Sequence, residues 1–460
     1  MKLEAVLASL FLAASAAQAD DTAPTPDARF KADILLVVAH PDDDTLVAGY
    51  LARAIDDEHR RVAVVYGTRG QAGGNAEGAE QGKSLAAIRE IEARHGLAAL
   101  GIENVWFLEG RDTASQNVLH SLETWGHGAA LEQTVRLIRL TRPDVVMTWL
   151  PLVVAGENHG DHQAAGVIAT EAFDMAADET AFPSQVAAPR DRHRTDNLTE
   201  GLRPWQAKKL YYFTDATDSA FLAGRGPEYS YLAKSPAHGT TYGERILPLL
   251  RSYRTQTDSA EARAVLDGDA GKAVAFLTQG KDAFLPEPLR LLLARSLVGG
   301  RATGDVFEGV TPGPVPRGSP SRPLPVSGPT LELGGPWAFY RVFWEAHGLS
   351  GLAALQPAQV RIAEGSALRV PLIVRNGGNA PLDVTIRPAL PLPAGWSGET
   401  EPVRVTVPSH DERTPSFRLA APTAAKVVAD VIAFKAESGG QEIGSVRLEV
   451  YSGKGGLAYE

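Results

Sequence analysis

The feature that most constrains the fold is a regular alternation of short apolar runs and amphipathic stretches between residues 33 and 149. The first run is Ile34 to Val38, and others follow at 62–66, 105–108 and 145–149. Unbroken apolar runs of this length are typical of parallel strands that are covered on both faces by helices. The pattern therefore predicts an α/β domain with a Rossmann-like, mostly parallel sheet flanked by helices.

After this alternation the pattern of apolar and polar residues changes. Locally amphipathic residues from Glu244 to Val298 predict helices that extend the α/β domain, which we place at 30–300. Seven prolines fall between residues 312 and 329, and they predict a Pro/Gly-rich linker over 301–354.

Residues 355–453 have the pattern of a β-sandwich. Period-two alternation marks Leu368 to Val374, Val403 to Val407 and Val446 to Val450, with turn residues between these segments. The sequence Val374-Arg375-Asn376-Gly377-Gly378 resembles the immunoglobulin-like domains named for α-galactosidase. We therefore expect a C-terminal all-β immunoglobulin-like sandwich that carries no chemistry of its own.

The N-terminus has the features of an export signal. Met1-Lys2 precedes an apolar stretch from Ala5 to Ala17, and Ala17-Gln18-Ala19 is a small-x-small cleavage site. This predicts a signal peptide over 1–19 and a secreted or periplasmic protein. The alternative is an anchor helix, but the apolar stretch is shorter than the roughly 20 residues that a bilayer span needs. The sequence contains no integral membrane segment after signal cleavage.

Charge and composition limit the classes of partner and ligand. A net charge of −10, a pI near 5.6 and the lack of any basic run argue against nucleic acid and anionic membranes. A small-molecule or glycan substrate fits better, and the oligomeric state stays open. Because the chain has no cysteine, any metal must be held by histidine and carboxylate groups.

The first candidate motif, His40-Pro41-Asp42-Asp43-Asp44, stands where the first strand ends and a helix begins. In an open α/β sheet, ligands bind beyond the carboxyl ends of the strands. Pro41 suits a first helical turn, so Asp43 returns toward His40, and this pair can hold one metal ion. The alternative is that the carboxylates only cap a helix N-terminus, where negative charge is favoured.

The second motif, His159-Gly160-Asp161-His162, follows the fourth strand. Its histidines at i and i+3 share one helical face, a spacing suited to metal binding. Both motifs follow strands of one parallel sheet, so we expect them to converge in space. That expectation favours a shared metal site over a pair of solvated loop histidines.

Together these motifs resemble the PIG-L/LmbE-like zinc-dependent de-N-acetylases. The His-Pro-Asp-Asp and His-x-Asp-His sequences carry the resemblance, and the helix from Leu85 to Ala93 supports it. The resemblance covers about residues 33–256. Its departures are Asp44 where the family usually has Glu, Gly160 in place of the commoner Pro, and a different loop around Asp112.

The resemblance implies a role for each residue of the two motifs. His40, Asp43 and His162 become the zinc ligands, Asp42 the general base, and His159 the group that faces the tetrahedral oxyanion. Three protein ligands leave a position for a water that zinc acidifies into a nucleophile. Asp42 can take the proton of this water, and a protonated His159 can stabilise the oxyanion.

Three further residues are candidates around this centre. We expect Asp161 to orient His159 through its carboxylate. Arg89 and Asp112 are the candidate substrate-binding residues, and the alternative for Arg89 is an ordinary surface arginine on a helix.

The sequence therefore predicts an exported, metal-dependent hydrolase that deacetylates an N-acetylated amino sugar or glycoconjugate. Zn²⁺ is the expected cofactor, although another divalent ion fits the same donors. One alternative is a zinc esterase or an amidase that acts on a non-sugar substrate. Another is a carbohydrate-binding protein with a structural metal, but an available Asp42 argues against it because a structural site has closed coordination.

Overall fold

A computed structural model of the protein describes residues 26–154, 159–186, 200–216, 219–280, 283–316, 328–424 and 426–454. The signal peptide predicted over 1–19 lies outside these residues and stays a prediction. None of the helices in the described part of the chain combines the length and the apolar character needed to cross a bilayer.

The N-terminal region is built on one six-stranded sheet. The sheet contains β1 (Ile34–Val38), β2 (Val62–Tyr66), β3 (Asn104–Phe107), β4 (Val145–Trp149), β5 (Lys209–Phe213) and β8 (Leu292–Ser296). Strands β6 (Glu228–Tyr229) and β7 (Leu289–Arg290) form a separate two-stranded ribbon. The order across the large sheet is β3-β2-β1-β4-β5-β8, and every pairing is parallel except that of β5 with β8. The predicted mostly parallel α/β architecture is confirmed.

Helices connect and cover these strands. They are α1 (Ala48–Asp56), α2 (Lys83–Ala99), α3 (Val118–Trp125), α4 (His127–Thr141), α5 (Gly160–Met175), α6 (Tyr242–Arg245), α7 (Leu247–Ser252), α8 (Ala260–Asp267), α9 (Ala270–Thr278) and α10 (Pro336–Ala346). All five residues of β1, β2, β4 and β5 are buried, as expected for strands that are covered on both faces.

The prediction of helices from Glu244 to Val298 is only partly right. Helices α6 to α9 lie in the first two thirds of the segment, but Leu292–Ser296 is the antiparallel edge strand β8. A short apolar run such as Leu291 to Leu293 has too little periodicity to distinguish a strand from a helix. These residues form a strand because they pair with β5.

The interval 301–354, which the proline content predicts to be a linker, contains regular structure. Its strand β9 (Pro329–Leu333) pairs with a strand of the C-terminal region, and α10 follows after two residues. Pro336 occupies the first turn of α10, where a fixed φ favours helix initiation. Tyr340 and Trp344 of this helix are buried in the core of the α/β domain. The segment therefore ties the two halves of the chain together.

The C-terminal region is rich in strands, as predicted. They are β10 (Gln359–Ala363), β11 (Ala367–Asn376), β12 (Leu382–Pro388), β13 (Ser397–Gly398), β14 (Val403–Val407), β15 (Asp411–Arg413), β16 (Ser416–Ala420), β17 (Val428–Ser438) and β18 (Gln441–Gly453). One sheet has the order β10-β18-β17-β12-β14, and the other joins β13, β16, β11 and β15 with β9 on β11. Phe417 and Phe434, one from each sheet, have ring centroids 5.2 Å apart in a second core. The immunoglobulin-like assignment stays a prediction.

Candidate functional site

The two predicted motifs meet at one edge of the sheet. β1 and β4 are adjacent, and the chain leaves them toward opposite sides, since β2 lies beyond β1 and β5 lies beyond β4. Such a switch point is where ligands bind in open α/β sheets. The residues after β1 form a short 3₁₀ helix (Asp43–Leu46), and those after β4 lead into α5.

The carboxylate of Asp43 lies close to one histidine of each motif. Asp43 Oδ1 lies 3.6 Å from His40 Nδ1 and 3.3 Å from His162 Nε2. Donors bound tetrahedrally to one zinc ion at about 2.0–2.1 Å lie about 3.3–3.4 Å from one another. The spacing to His162 and the nitrogen and oxygen donor set match a zinc-sized divalent ion, the spacing to His40 is slightly wider, and these are the three residues predicted as ligands. Among the described residues, two groups have ligand atoms that all lie within 4.8 Å of one another: His40, His159 and His162, and His40, Asp112 and Asp161.

The side chain of Asp43 is held by three hydrogen bonds. Its Oδ2 accepts hydrogen bonds from the backbone N–H groups of Ala39 and His40 at 2.8 and 3.0 Å, and from Trp149 Nε1 at 2.7 Å. Burial alone would raise the pKa of Asp43, but the adjacent histidines lower it well below the ordinary value. The carboxylate is therefore ionised, with Oδ1 directed at the histidines.

Trp149 is a functional residue that the sequence analysis missed. Its ring stacks on His162 with centroids 3.9 Å apart and planes 6° apart, while its N–H binds Asp43. One side chain at the end of β4 thus contacts a predicted ligand from each motif. The signal in the sequence is a tryptophan as the last residue of the buried strand that leads to the second motif.

Asp42 has an unusual backbone. Its φ is 111° in the left-handed region, and its side chain makes no capping hydrogen bond to the helix that follows. Residues other than glycine pay about 1–3 kcal/mol for such conformations, which concentrate at functional sites. Burial and the negative charge of Asp43 raise the pKa of Asp42 well above its ordinary value. The alternative reading of Asp42 as a helix cap is therefore not supported.

His159 lies beside the ligands in a different state from the one predicted. One nitrogen each of His40, His159 and His162 lies within 4.8 Å of the others. His159 caps α5, and its Nδ1 accepts a hydrogen bond from the N–H of Asp161 at 3.3 Å. Burial and the adjacent histidines lower the pKa of His159 well below its ordinary value. The ring is therefore neutral, in contrast to the predicted protonated form, and its N–H is on Nε2.

The carboxylate of Asp161 does not bind His159, so the predicted orienting contact is wrong. Asp161 Oδ1 accepts from Thr113 Oγ1 and Oδ2 from the Thr113 N–H, both at 2.8 Å. Only the backbone of Asp161 contacts His159. Asp161 Oδ2 also lies 3.5 Å from His40 Nε2. The first turn of α5 directs this carboxylate at the loop after β3 and at the other motif.

His40 and His162, the predicted ligand histidines, each have a second carboxylate near the other ring nitrogen. His40 Nε2 lies 3.1 Å from Asp112 Oδ1, and His162 Nδ1 lies 3.9 Å from Asp215 Oδ2. Burial alone would lower the pKa of His40, but the carboxylates of Asp112, Asp161 and Asp43 raise it well above its ordinary value. Asp215 follows β5 and was missed because an isolated aspartate after a strand carries no motif.

Arg89 is neither a rim residue nor a surface arginine. It is 5% exposed, and its Nη1 and Nη2 donate to the carbonyl oxygens of Gly70 and Gly74 at 2.7 Å each. A Cβ on Gly73 would lie 2.8 Å from Nη1. Arg89 therefore holds the glycine-rich loop after β2, and the predicted sugar contact through its terminal nitrogens stays untested.

Gly160 explains one departure from the family pattern. Its N–H donates to the carbonyl oxygen of Ser115 at 2.8 Å, a bond that proline cannot make. A Cβ at this position would lie 2.5 Å from Ser121 Oγ and 2.8 Å from the carbonyl oxygen of Asn117. The loop before α3 approaches too closely for any side chain.

Asp44 supports the site from behind. It is fully buried, and its Oδ1 accepts hydrogen bonds from the hydroxyls of Tyr66 and Tyr253 at 2.6 Å each. Burial raises the pKa of Asp44 to about 6, against the lowering effect of the two tyrosines. The expectation of a supporting role agrees with this buried triad, whose tyrosines the sequence analysis did not identify.

Comparison with known proteins finds a family whose pattern this part of the chain matches. Residues 35–173, which carry both motifs, match the family described as PIG-L, GlcNAc-PI de-N-acetylase. The match begins within β1 and ends within α5, so it encloses the proposed ligands.

Curated relatives cover more of the chain. A 1D-myo-inositol 2-acetamido-2-deoxy-alpha-D-glucopyranoside deacetylase from Thermobifida fusca is 25% identical over 293 residues, which are 56% of this chain and 94% of the relative. A protein of the same name from Rhodococcus erythropolis is 31% identical over 194 residues, or 39% of this chain and 60% of the relative. These homologues are deacetylases of substrates that contain N-acetylglucosamine.

Among solved structures, the N,N'-diacetylchitobiose deacetylase from Pyrococcus horikoshii matches with 18% identity and a TM-score of 0.39. The match covers 61% of this chain and 87% of that protein.

Proposed function

We propose that this chain is a zinc-dependent hydrolase that removes the acetyl group from an N-acetylated amino sugar or glycoconjugate. The observation that carries the proposal is that Asp43 Oδ1 lies 3.6 Å from His40 Nδ1 and 3.3 Å from His162 Nε2, beside the half-buried Asp42. The PIG-L match over residues 35–173 and the deacetylase relatives support it.

His40, Asp43 and His162 would hold the metal. A bound zinc ion would act as a Lewis acid and would make a water molecule acidic enough to serve as a nucleophile near neutral pH. The Asp42 carboxylate accepts a proton from this water and later passes it to the leaving amine. The neutral His159 donates from Nε2–H to the oxygen on which negative charge develops.

The residues around the centre favour catalysis over a structural metal. A structural zinc site is closed by four protein ligands, whereas the proposed set contributes three. A helix cap or a surface carboxylate would not need the strained backbone of Asp42, with φ at 111°. A purely structural site would also gain nothing from a neutral histidine at its edge.

The amino-sugar substrate is proposed from the relatives, whose names specify deacetylation of a 2-acetamido-2-deoxy-glucopyranoside linked to inositol. The test is acetate release from N-acetylglucosamine and its oligosaccharides, from the matching O-acetyl sugars, and from N-acetylated amino acids. We expect release from the N-acetyl sugars only. Release from O-acetyl sugars alone would establish the esterase alternative, and release from amino acids alone would establish an amidase for non-sugar substrates.

Asp42→Asn is the matched control for this panel. Asparagine has the size of aspartate and, like aspartate, tolerates a positive φ. We expect it to bind one equivalent of metal and to lose about 10²–10⁴-fold in rate, the usual contribution of a positioned acid–base group. Unchanged activity in Asp42→Asn would overturn the assignment of Asp42. Binding of sugars without release of acetate by the wild type would favour a carbohydrate-binding protein.

We further propose that the protein is exported to the periplasm or the medium. The short apolar stretch and the Ala17-Gln18-Ala19 site at the N-terminus support this proposal. Sequencing the N-terminus of protein expressed with its full leader tests it. A mature chain that starts at Asp20 is expected, and an uncleaved cytoplasmic chain would refute it.

A further inference from the structure

Asp112 lies in a position that a substrate-binding residue would not need. Its side chain is 7% exposed, and both of its oxygens contact other parts of the protein. Oδ1 lies 3.1 Å from His40 Nε2, and Oδ2 accepts the N–H of Ala72 at 2.7 Å. Both oxygens are therefore already engaged in contacts within the protein, one of them with a residue of the first motif.

The contact with His40 controls which nitrogen can bind a metal. His40 Nδ1 faces Asp43, so this nitrogen must be unprotonated to serve as a ligand, and the ring proton must then be on Nε2. A carboxylate that accepts the Nε2–H bond fixes this tautomer and the ring orientation. Asp161 is farther from Nε2, at 3.5 Å, and both of its oxygens are already bound to Thr113. Asp112 is therefore the main acceptor.

The contact with Ala72 connects the ligand to the glycine-rich loop after β2. Arg89 binds the carbonyl oxygens of Gly70 and Gly74 on either side of Ala72. Three polar contacts from two side chains thus hold residues 70–74. Because one of these side chains also orients His40, a displacement of the loop would reach the metal ligand directly.

We propose that Asp112 is a positioning residue that orients His40 for metal binding and connects it to the loop at 70–74. This inference rests on the proposed metal-dependent function. It replaces the expected substrate contact of Asp112 with a role that acts through His40.

The test is zinc affinity of substrate-free protein, measured by competition with a chromophoric chelator, for wild type, Asp112→Asn and Asp112→Ala. Loss of a carboxylate that supports a ligand histidine typically weakens metal binding 10–100-fold, and we expect that loss in Asp112→Ala. Asp112→Asn can accept from only one N–H through its single oxygen, so we expect an intermediate loss. The visible spectrum of Co²⁺ bound to each variant reports whether the ligand geometry has changed.

Asp258→Asn is the matched control. Asp258 is an exposed carboxylate whose charge acts on Arg89, so its removal changes the local charge by the same amount as Asp112→Asn without touching His40. We expect its zinc affinity to equal that of the wild type. Far-UV circular dichroism of the metal-free proteins establishes that each variant is folded.

The steady-state constants separate the two roles of Asp112. At saturating zinc, we expect Asp112→Ala to lower kcat while KM stays within about twofold of the wild type. Unchanged zinc affinity with a raised KM would overturn the proposal and restore the substrate contact. If the wild type binds zinc but releases no acetate, the proposed function fails while the affinity series still decides the role of Asp112. If the wild type binds no metal, both fail.

Discussion

Trp149 provides a sharp test of how the metal ligands are organised, through the substitution Trp149→Phe. The phenyl ring keeps an aromatic surface against His162, which now stacks at 3.9 Å, but it removes the N–H that binds Asp43 Oδ2 at 2.7 Å. Asp43 keeps its two backbone donors. The substitution therefore isolates one hydrogen bond to a metal ligand.

The expected loss of zinc affinity follows from the negative charge on the acceptor, the Asp43 carboxylate. A hydrogen bond to an ionised group contributes about 1.5–3 kcal/mol, and two remaining donors place this loss near the lower value. About 1.5 kcal/mol corresponds to roughly tenfold in an equilibrium constant. We expect Trp149→Phe to weaken zinc binding by this factor, because the ordering of Asp43 must then occur when the metal binds.

The assay is the same chelator competition, combined with urea unfolding of the metal-free protein. Trp106→Phe is the control, since Trp106 is a partly buried tryptophan of β3 in the same sheet and stacks at a tilt on Phe30. Both variants should lose stability through lost packing, but only Trp149→Phe should lose zinc affinity. Equal affinity losses in the two variants, or none in Trp149→Phe, would refute the reasoning.

Three other substitutions test separate parts of the account. Asp42→Gly should abolish acetate release yet raise the free energy of unfolding by about 1 kcal/mol, because glycine tolerates φ at 111°; a less stable variant in urea unfolding would contradict this. Gly160→Ala should destabilise the protein by about 1–3 kcal/mol in the same assay, because its Cβ would lie 2.5 Å from Ser121 Oγ. The hydrogen bond to Glu171 raises the pKa of His127, so its stabilising contribution is complete below pH about 6.5 and is lost as the pH rises through the folded-state value. Glu171→Gln should therefore be less stable than the wild type at pH 5.5, by less than about 1 kcal/mol at this partly exposed pair, and equal to it at pH 9.

The sheet could be predicted because its strands are short, continuous apolar runs. β1, β2 and β4 are fully buried, so their composition alone distinguishes them from amphipathic helices. The convergence of the two motifs follows from topology, since both come after strands of one parallel sheet. β8 and α10 could not be assigned in the same way, because pairing with β5 and packing on a distant core decide their structure.

The site was predictable only where its residues form local motifs. His40, Asp43 and His162 belong to such motifs, and the structure places Asp43 Oδ1 3.6 Å from His40 Nδ1 and 3.3 Å from His162 Nε2. The partners of Asp161 and the contacts of Asp112 depend on loops that meet only in the folded chain. Protonation states depend on burial and on neighbouring charges, so a neutral His159 could not be read from its position in the sequence.

The most direct test of the central claim is a titration of metal-free protein with zinc while acetate release from an N-acetylglucosamine oligosaccharide is measured. Activity should rise linearly and level off at one equivalent of zinc. Asp42→Asn should bind the same single equivalent and stay inactive. Acetate release without any metal, or a need for two equivalents, would contradict a single-zinc centre formed by His40, Asp43 and His162.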